Sequence, residues 1–316
     1  MRIVSLVALL ALAGAANAQR PAPGPAKPPG VIGAPAGTGA HPAVAEVKAE
    51  LPAHTLYRPS VLPSGRMPIV IWGNGGCADN GLSASHFLRE VASHGYLVVA
   101  AGHARTERPS GPPPALLPPP AKPVVFNGPG AGRDETRTSD VLSGLDWALA
   151  ENQRRGSALY GALDAKRVAV MGHSCGGLQA IDAAADPRMR TAVIFNSGIY
   201  KRDTTVARDG VALDKTALAK LHTPIAYING GPTDIAYSAS TDDFARLKRV
   251  PAFYAALPVG HGGTFAVANG GEYARLAVAW LNWQLRGDRN AAKWFTGANC
   301  KLCTDTRWTV ERKRLD

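Results

Sequence analysis

The chain has 316 residues, 46% of them hydrophobic, which is ample for one sizeable core. It carries 35 Lys and Arg against 24 Asp and Glu, a formal net charge of +11. The basic residues are scattered, with no Arg/Lys run interleaved with aromatics, so the charge describes a basic surface and argues against nucleic acid as a partner.

Met1 to Ala18 has one basic residue, Arg2, then an apolar stretch from Ile3 to Gly14, then Ala16-Asn17-Ala18. This is the pattern of a cleavable signal peptide, too short to span a bilayer, with cleavage expected after Ala18. No other stretch approaches a membrane span. The expected location is therefore secreted or periplasmic, where the four cysteines can pair. Residues 19–40 are Pro, Gly and Ala with almost no bulky apolar side chain, and read as a flexible linker. A single catalytic domain is expected over 41–316.

Val44–Val47 and Thr55–Tyr57 read as early strands. Pro68–Trp72 is a continuous apolar run, as in a strand buried on both faces of a parallel sheet, and it runs into Gly73-Asn74-Gly75-Gly76-Cys77. Leu82–Ser93 reads as a helix and Tyr96–Ala101 as the next buried strand. A Pro-rich insertion follows at about 105–134, with triple prolines at 112–114 and 118–120. It is expected to be a flexible surface insertion, with a lid over the site as the alternative. Thr138–Glu151 has the spacing of an amphipathic helix.

The stretch that organises the chain comes next. Val168–Met171 reads as a short buried strand, Gly172-His173-Ser174-Cys175-Gly176 as a sharp turn, and Gly177–Ala184 as a helix. G-x-S-x-G between a strand and a helix is the context in which a serine becomes an exposed nucleophile at a helix N-terminus. An incidental serine in a Gly-rich connection is the plain alternative. Further strands are expected at Thr191–Phe195, Pro224–Ile228 and Ala252–Leu257. The turn after the second of these carries Asp234, and the loop after the third carries His261 between glycines. Asp242 and Asp243 compete for the role of the acid, but read as residues that start or cap a helix over 242–247.

Ser174, Asp234 and His261 follow one another in the order of the α/β-hydrolases, distinct from the trypsin-like and subtilisin-like orders. Alternating strands and helices independently point to an α/β fold with a mostly parallel central sheet. The remaining histidines lack metal-ligand spacing and no phosphate-binding glycine loop is present, so neither metal nor cofactor is expected.

On these residues the chain resembles the α/β-hydrolase superfamily. More narrowly, Ala92–Tyr96, Gly172–Gly177, Thr233–Ala236 and Ala279–Leu285 look like the secreted lipase, cutinase and polyester-hydrolase branch and its dienelactone-hydrolase-like relatives. The resemblance implies cleavage of a small-molecule or polymeric ester, with Ser174 as nucleophile, His261 as base and Asp234 as orienting acid. It places backbone N–H donors for the oxyanion at Cys77, counted back from Ala92-Ser-His-Gly, and at Cys175. Asn74, Gly76, Ile199 and Tyr200 become candidates for substrate binding. Two departures stand out: Cys77 occupies a position where polyester-active relatives carry an aromatic, and 196–200 lacks their tryptophan. If Cys77 and Cys175 flank one oxyanion their Cα atoms lie within disulfide range, so the resemblance implies bridges Cys77–Cys175 and Cys300–Cys303, with two buried free thiols as the competing reading. A secreted peptidase or acyltransferase on the same triad, and a non-catalytic binding protein of the same fold, are the alternative functions. The sequence does not specify an oligomeric state.

Overall fold

The computed structural model describes residues 24–121, 135–200 and 213–315. The signal-peptide reading for 1–18 lies outside these residues. Ten strands form one sheet: β1 (Gly30–Ala36), β2 (Ala43–Val47), β3 (His54–Pro59), β4 (Met67–Gly73), β5 (Leu97–Ala101), β6 (Leu163–His173), β7 (Thr191–Phe195), β8 (Ile225–Asn229), β9 (Ala252–Ala256) and β10 (Thr309–Lys313). The helices are α1 (Ser85–Ser93), α2 (Thr138–Gln153), α3 (Cys175–Ala183), α4 (Tyr237–Arg246), α5 (Gly271–Arg286) and the short α6 (Arg289–Ala292).

The spatial order is β1-β2-β3-β5-β4-β6-β7-β8-β9-β10. The block from β5 to β9 is parallel throughout, and antiparallel strands extend it at both ends. Every residue of β4, β5, β7, β8 and β9 is buried, which explains their continuous apolar sequences. Alternate residues serve opposite faces. Val70, Trp72, Met171 and Phe195 pack with Phe87 of α1 and Tyr273 and Trp280 of α5. Ile69, Ile71, Val170 and Ile194 pack with Leu145 of α2 and Ile181 of α3.

Strand order reverses between β4 and β6. β4 leads on to β5 on one side, while β6 starts the run toward β9 on the other. The carboxyl ends of two such strands diverge and leave a crevice, where ligands bind in open α/β sheets. Here those ends are Gly73 and Gly172, which pair directly.

Three expectations are corrected at this level. Residues 30–36, expected within a flexible linker, form the edge strand β1, paired with β2 through Val31↔Glu46 and Ile32↔Ala45. Its side chains are almost all exposed, with only Ile32 packed against the core, so its order comes chiefly from backbone pairing and from the Arg89 guanidinium on the Ile32 carbonyl (3.0 Å). Asp242 and Asp243 sit inside α4, which begins at Tyr237, and do not cap it. The described part of the Pro-rich insertion, up to Ala121, is tied to the loop that carries His261: Gly111 N–H donates to the Ala266 carbonyl (2.8 Å) and Leu117 N–H to that of Pro258 (2.6 Å).

Candidate active site

β6 ends at His173 and α3 begins at Cys175, leaving Ser174 alone to make the turn. Its backbone sits at φ 54°, ψ −121°, a conformation L-residues rarely adopt and which costs about 1–3 kcal/mol. The glycines on either side permit it. A Cβ on Gly172 would lie 2.0 Å from the Gly176 carbonyl oxygen, and one on Gly176 would lie 2.1 Å from the Gly73 carbonyl carbon. Neither clash involves a flexible side chain that could move aside. Ser174 N–H donates to the Phe195 carbonyl (3.0 Å), while Gly176 N–H donates to the Asn74 carbonyl (3.0 Å), so the turn is fastened to both neighbouring strands.

Asp234 and His261 arrive from the ends of β8 and β9. The Asp234 side chain is fully buried. Its Oδ2 accepts from Gly230 N–H (3.1 Å) and its Oδ1 from Ala236 N–H (2.9 Å). The same Oδ1 lies 2.6 Å from Nδ1 of His261. Across the ring, Nε2 of His261 lies 2.9 Å from Oγ of Ser174. The three predicted side chains therefore form one continuous chain of hydrogen bonds, with the imidazole partly open to solvent.

Two residues hold the His261 loop, and neither is marked out by its sequence context. His173 donates Nε2–H to the His261 carbonyl (2.9 Å), and Asn196, itself at φ 44°, donates from Nδ2 to the Gly260 carbonyl (3.0 Å). Burial pushes the His173 pKa down to about 4, with the neighbouring His261 acting in the same direction. A neutral ring at that position is a stable donor that adds no charge beside Ser174. No sequence signal separates His173 from any other variable residue of a G-x-S-x-G turn.

The cleft over Ser174 is lined by Gly75, Gly76, Ser83, Arg108, Phe265 and Gly262, among others. Phe265 packs against Trp72 (ring centroids 5.7 Å apart) and against His173 (4.8 Å), forming an apolar floor. Among the described residues, no three His, Cys, Asp or Glu side chains come together to hold a metal ion.

The other expected site residues fall as follows. Gly76 lines the cleft. Asn74 does not: it is fully buried, and its side chain joins Trp72 Nε1 and the carbonyls of Ala78 and Ala101, which makes it a brace for the loop. Ile199 is also buried, in the core beneath the sheet, with its N–H on Oδ2 of Asp243 (2.7 Å). Tyr200 is the last described residue before 201–212 and is absent from the cleft lining. Asp243 pairs with Lys215 (2.5 Å) and with no histidine; burial raises its carboxyl to about 6 even with that lysine opposing. Cys77, expected as the first oxyanion donor, has its N–H on the Asn74 carbonyl (3.1 Å) and is fully buried. A tight turn over Gly75–Cys77, with Gly76 at φ 69°, carries Cys77 away from the cleft. The Cys77 and Cys175 sulfurs lie 1.95 Å apart and those of Cys300 and Cys303 2.11 Å apart, both at disulfide distance.

With this geometry in place, comparison with known proteins adds a family. Residues 130–206, which include β6, the Ser174 turn, α3 and β7, match the family model described as PETase, PET hydrolase-like. The chain has the α/β-hydrolase fold. Its sheet order and the position of Ser174 after a central parallel strand agree with that assignment. The matched family is one of carboxylic ester hydrolases, and this sets the enzyme class of the hydrolase. A search among curated proteins returns no match. No helix among the described residues is long and apolar enough to cross a membrane.

Proposed function

We propose that the hydrolase is an exported enzyme that cleaves carboxylic esters through an acyl-enzyme formed on Ser174. The observation that carries this reading is the unbroken line from Ser174 Oγ to His261 Nε2 (2.9 Å) and from His261 Nδ1 to Asp234 Oδ1 (2.6 Å) on a positive-φ turn. A serine hydroxyl is a weak nucleophile at neutral pH, so His261 Nε2 takes its proton as Oγ attacks the ester carbonyl. Asp234 fixes the tautomer with Nδ1 protonated and stabilises the imidazolium that forms. The imidazolium then gives its proton to the departing alcohol. In the second half, water attacks the acyl-enzyme, His261 takes one of its protons, and the acid leaves as Ser174 regains its own.

The tetrahedral oxyanion needs N–H donors. Cys175 supplies one from the first residue of α3, where the helix dipole favours negative charge. With the Cys77 N–H engaged by Asn74, the second donor falls to the Gly75–Gly76 segment, which faces the cleft with no side chain in the way. A Cβ on Gly75 would lie 2.5 Å from Nδ1 of His173, and Gly76 takes φ 69°, so each position favours glycine. Export rests on residues 1–18 and on the two cysteine pairs.

Ser174→Ala tests the reading. It should abolish turnover of p-nitrophenyl butyrate and covalent labelling by a fluorophosphonate while circular dichroism stays unchanged. Wild-type turnover by that variant would refute the assignment. Polyester films in the same panel test whether the substrate range extends to polymers, and N-terminal sequencing of the exported protein tests cleavage after Ala18.

A further inference from the structure

Arg108 stands out among the cleft residues. It lines the same cleft as Ser174 and His261, and among the described residues no aspartate or glutamate lines it. The adjacent Glu107 is committed elsewhere, to the Arg89 guanidinium and to Ser85 Oγ (2.6 Å). Asp234 is buried behind His261. Among the described residues no carboxylate pairs with the Arg108 guanidinium, although arginines 89, 105, 154, 188 and 307 all have acidic partners. Its backbone is held on both sides: its carbonyl accepts from His86 Nε2 (2.9 Å), and three residues later Gly111 is anchored to Ala266. The side chain therefore starts from a fixed point at the cleft. Its charge is near enough to His173 to disfavour a second cation there.

We propose that Arg108 recognises a carboxylate on the substrate, so that the preferred esters carry a free acid group, as in the half-ester of a dicarboxylic acid. The inference rests on the ester-hydrolase reading and adds its specificity. A guanidinium presents parallel N–H donors that match a carboxylate in a bidentate contact, and the apolar floor at Phe265 suits the carbon skeleton between acid and ester. The reaction itself produces such molecules, because one cleavage of a diester leaves a half-ester with a new carboxylate. Retaining that anion at the cleft favours a second cleavage.

The test compares isosteric pairs. On the acyl side, the p-nitrophenyl half-ester of hexanedioic acid is set against the matching terminal amide. On the alcohol side, 4-carboxyphenyl butyrate is set against 4-carbamoylphenyl butyrate. Wild-type enzyme should favour the acid of at least one pair by roughly tenfold in kcat/KM, the size expected for one partly exposed charge-assisted contact. The preference should shrink as salt rises from about 0.01 M to about 1 M and the Debye length falls from about 30 Å to about 3 Å. Arg108→Gln should remove it, each acid rate being read as a ratio to the amide rate of the same variant. Arg155→Gln, which removes a positive charge from the connection between α2 and β6, at the amino-terminal end of β6 and so at the other end of the strand from Ser174, should not. Absence of any acid preference in wild type, or equal effects of the two substitutions, overturns the proposal while amide turnover still upholds ester hydrolysis. If neither member of either pair is cleaved by wild type, the ester-hydrolase reading fails and the specificity proposal with it.

Discussion

Replacing Cys77 and Cys175 together by alanine separates the turn that carries Ser174 from the glycine loop facing it. The bridge joins positions 98 residues apart, across α1, β5, α2 and β6. In the chain-entropy model, opening a loop of that length frees the unfolded chain by up to about 4.7 kcal/mol, whereas a loop the length of Cys300–Cys303 is worth only about 2 kcal/mol. The two side chains also form a small buried cluster with Leu178 and Leu213, so the truncation leaves a gap as well. What remains between the two segments is the parallel pairing of β4 with β6, ending at Gly73↔Gly172, and the Gly176–Asn74 hydrogen bond. Those contacts keep the loops near one another but with less constraint. Losing one oxyanion donor outright costs about 100- to 1000-fold in rate, so loosening one should cost less, on the order of tenfold in kcat. Urea unfolding followed by tryptophan fluorescence reads the stability, and p-nitrophenyl butyrate reads kcat. Wild-type protein reduced under mild conditions keeps both sulfurs in place and isolates the loss of the bond from the loss of packing. A double variant that unfolds within about 1 kcal/mol of wild type, with kcat unchanged, would refute the idea that this bridge braces the site.

Three shorter predictions follow from the same geometry. His173 has a folded-state pKa near 4, below the ordinary 6.5, so the unfolded chain binds the extra proton between those values. Its contribution is complete above about 6.5 and is lost as pH falls toward about 4, by no more than roughly 3 kcal/mol; His173→Gln should flatten the stability profile over that window, and an unchanged slope would count against the buried neutral ring. Gly176→Ala should yield little soluble or active enzyme, because its Cβ would meet the Gly73 backbone at 2.1 Å; normal activity would mean that the turn can open at little cost. Deleting Gly111 to Pro120 should lower kcat on small esters about tenfold or more by releasing the loop at 258–267, and unchanged kinetics would return that segment to the role of a passive insertion.

The parts of this molecule that were legible in the sequence are those whose cause is local. Val168–Met171 is apolar because it is covered on both faces, and Gly172 and Gly176 are glycines because backbone passes within about 2 Å of where their Cβ atoms would be. The order Ser174, Asp234, His261 follows from strand order, which alternating helices and strands already imply. The misread parts are those whose cause is a distant partner. β1 lacks the apolar content to order itself, and is held by β2 and by the Arg89 side chain on α1. β10, Thr-Val-Glu-Arg-Lys, has no apolar run to mark it as a strand, and it pairs along its whole length with β9 at the sheet edge, where outward polar side chains are the rule.

The oxyanion loop and the Pro-rich segment show the same limit at the site itself. Counting residues from Ala92-Ser-His-Gly back to Cys77 assumes a constant number of residues between strand and helix. The turn at Gly75–Cys77 breaks that assumption and passes the cleft-facing position to the glycines before it. The displaced cysteine is then free to bond its sulfur to Cys175, so a residue that resembled a donor becomes a tether. In the Pro-rich segment, proline removes backbone donors, and composition alone therefore predicts a chain that cannot be tied down. The few non-proline residues decide otherwise: Gly111 and Leu117 keep their N–H groups and spend them on the two sides of the His261 loop, at Ala266 and Pro258. Stiff prolines between two such anchors hold their spacing with little entropy left to lose, and the same stretch sets Arg108 at the cleft. A segment whose composition suggests disorder thus holds the His261 loop and, among the described residues, sets an arginine in the cleft lining.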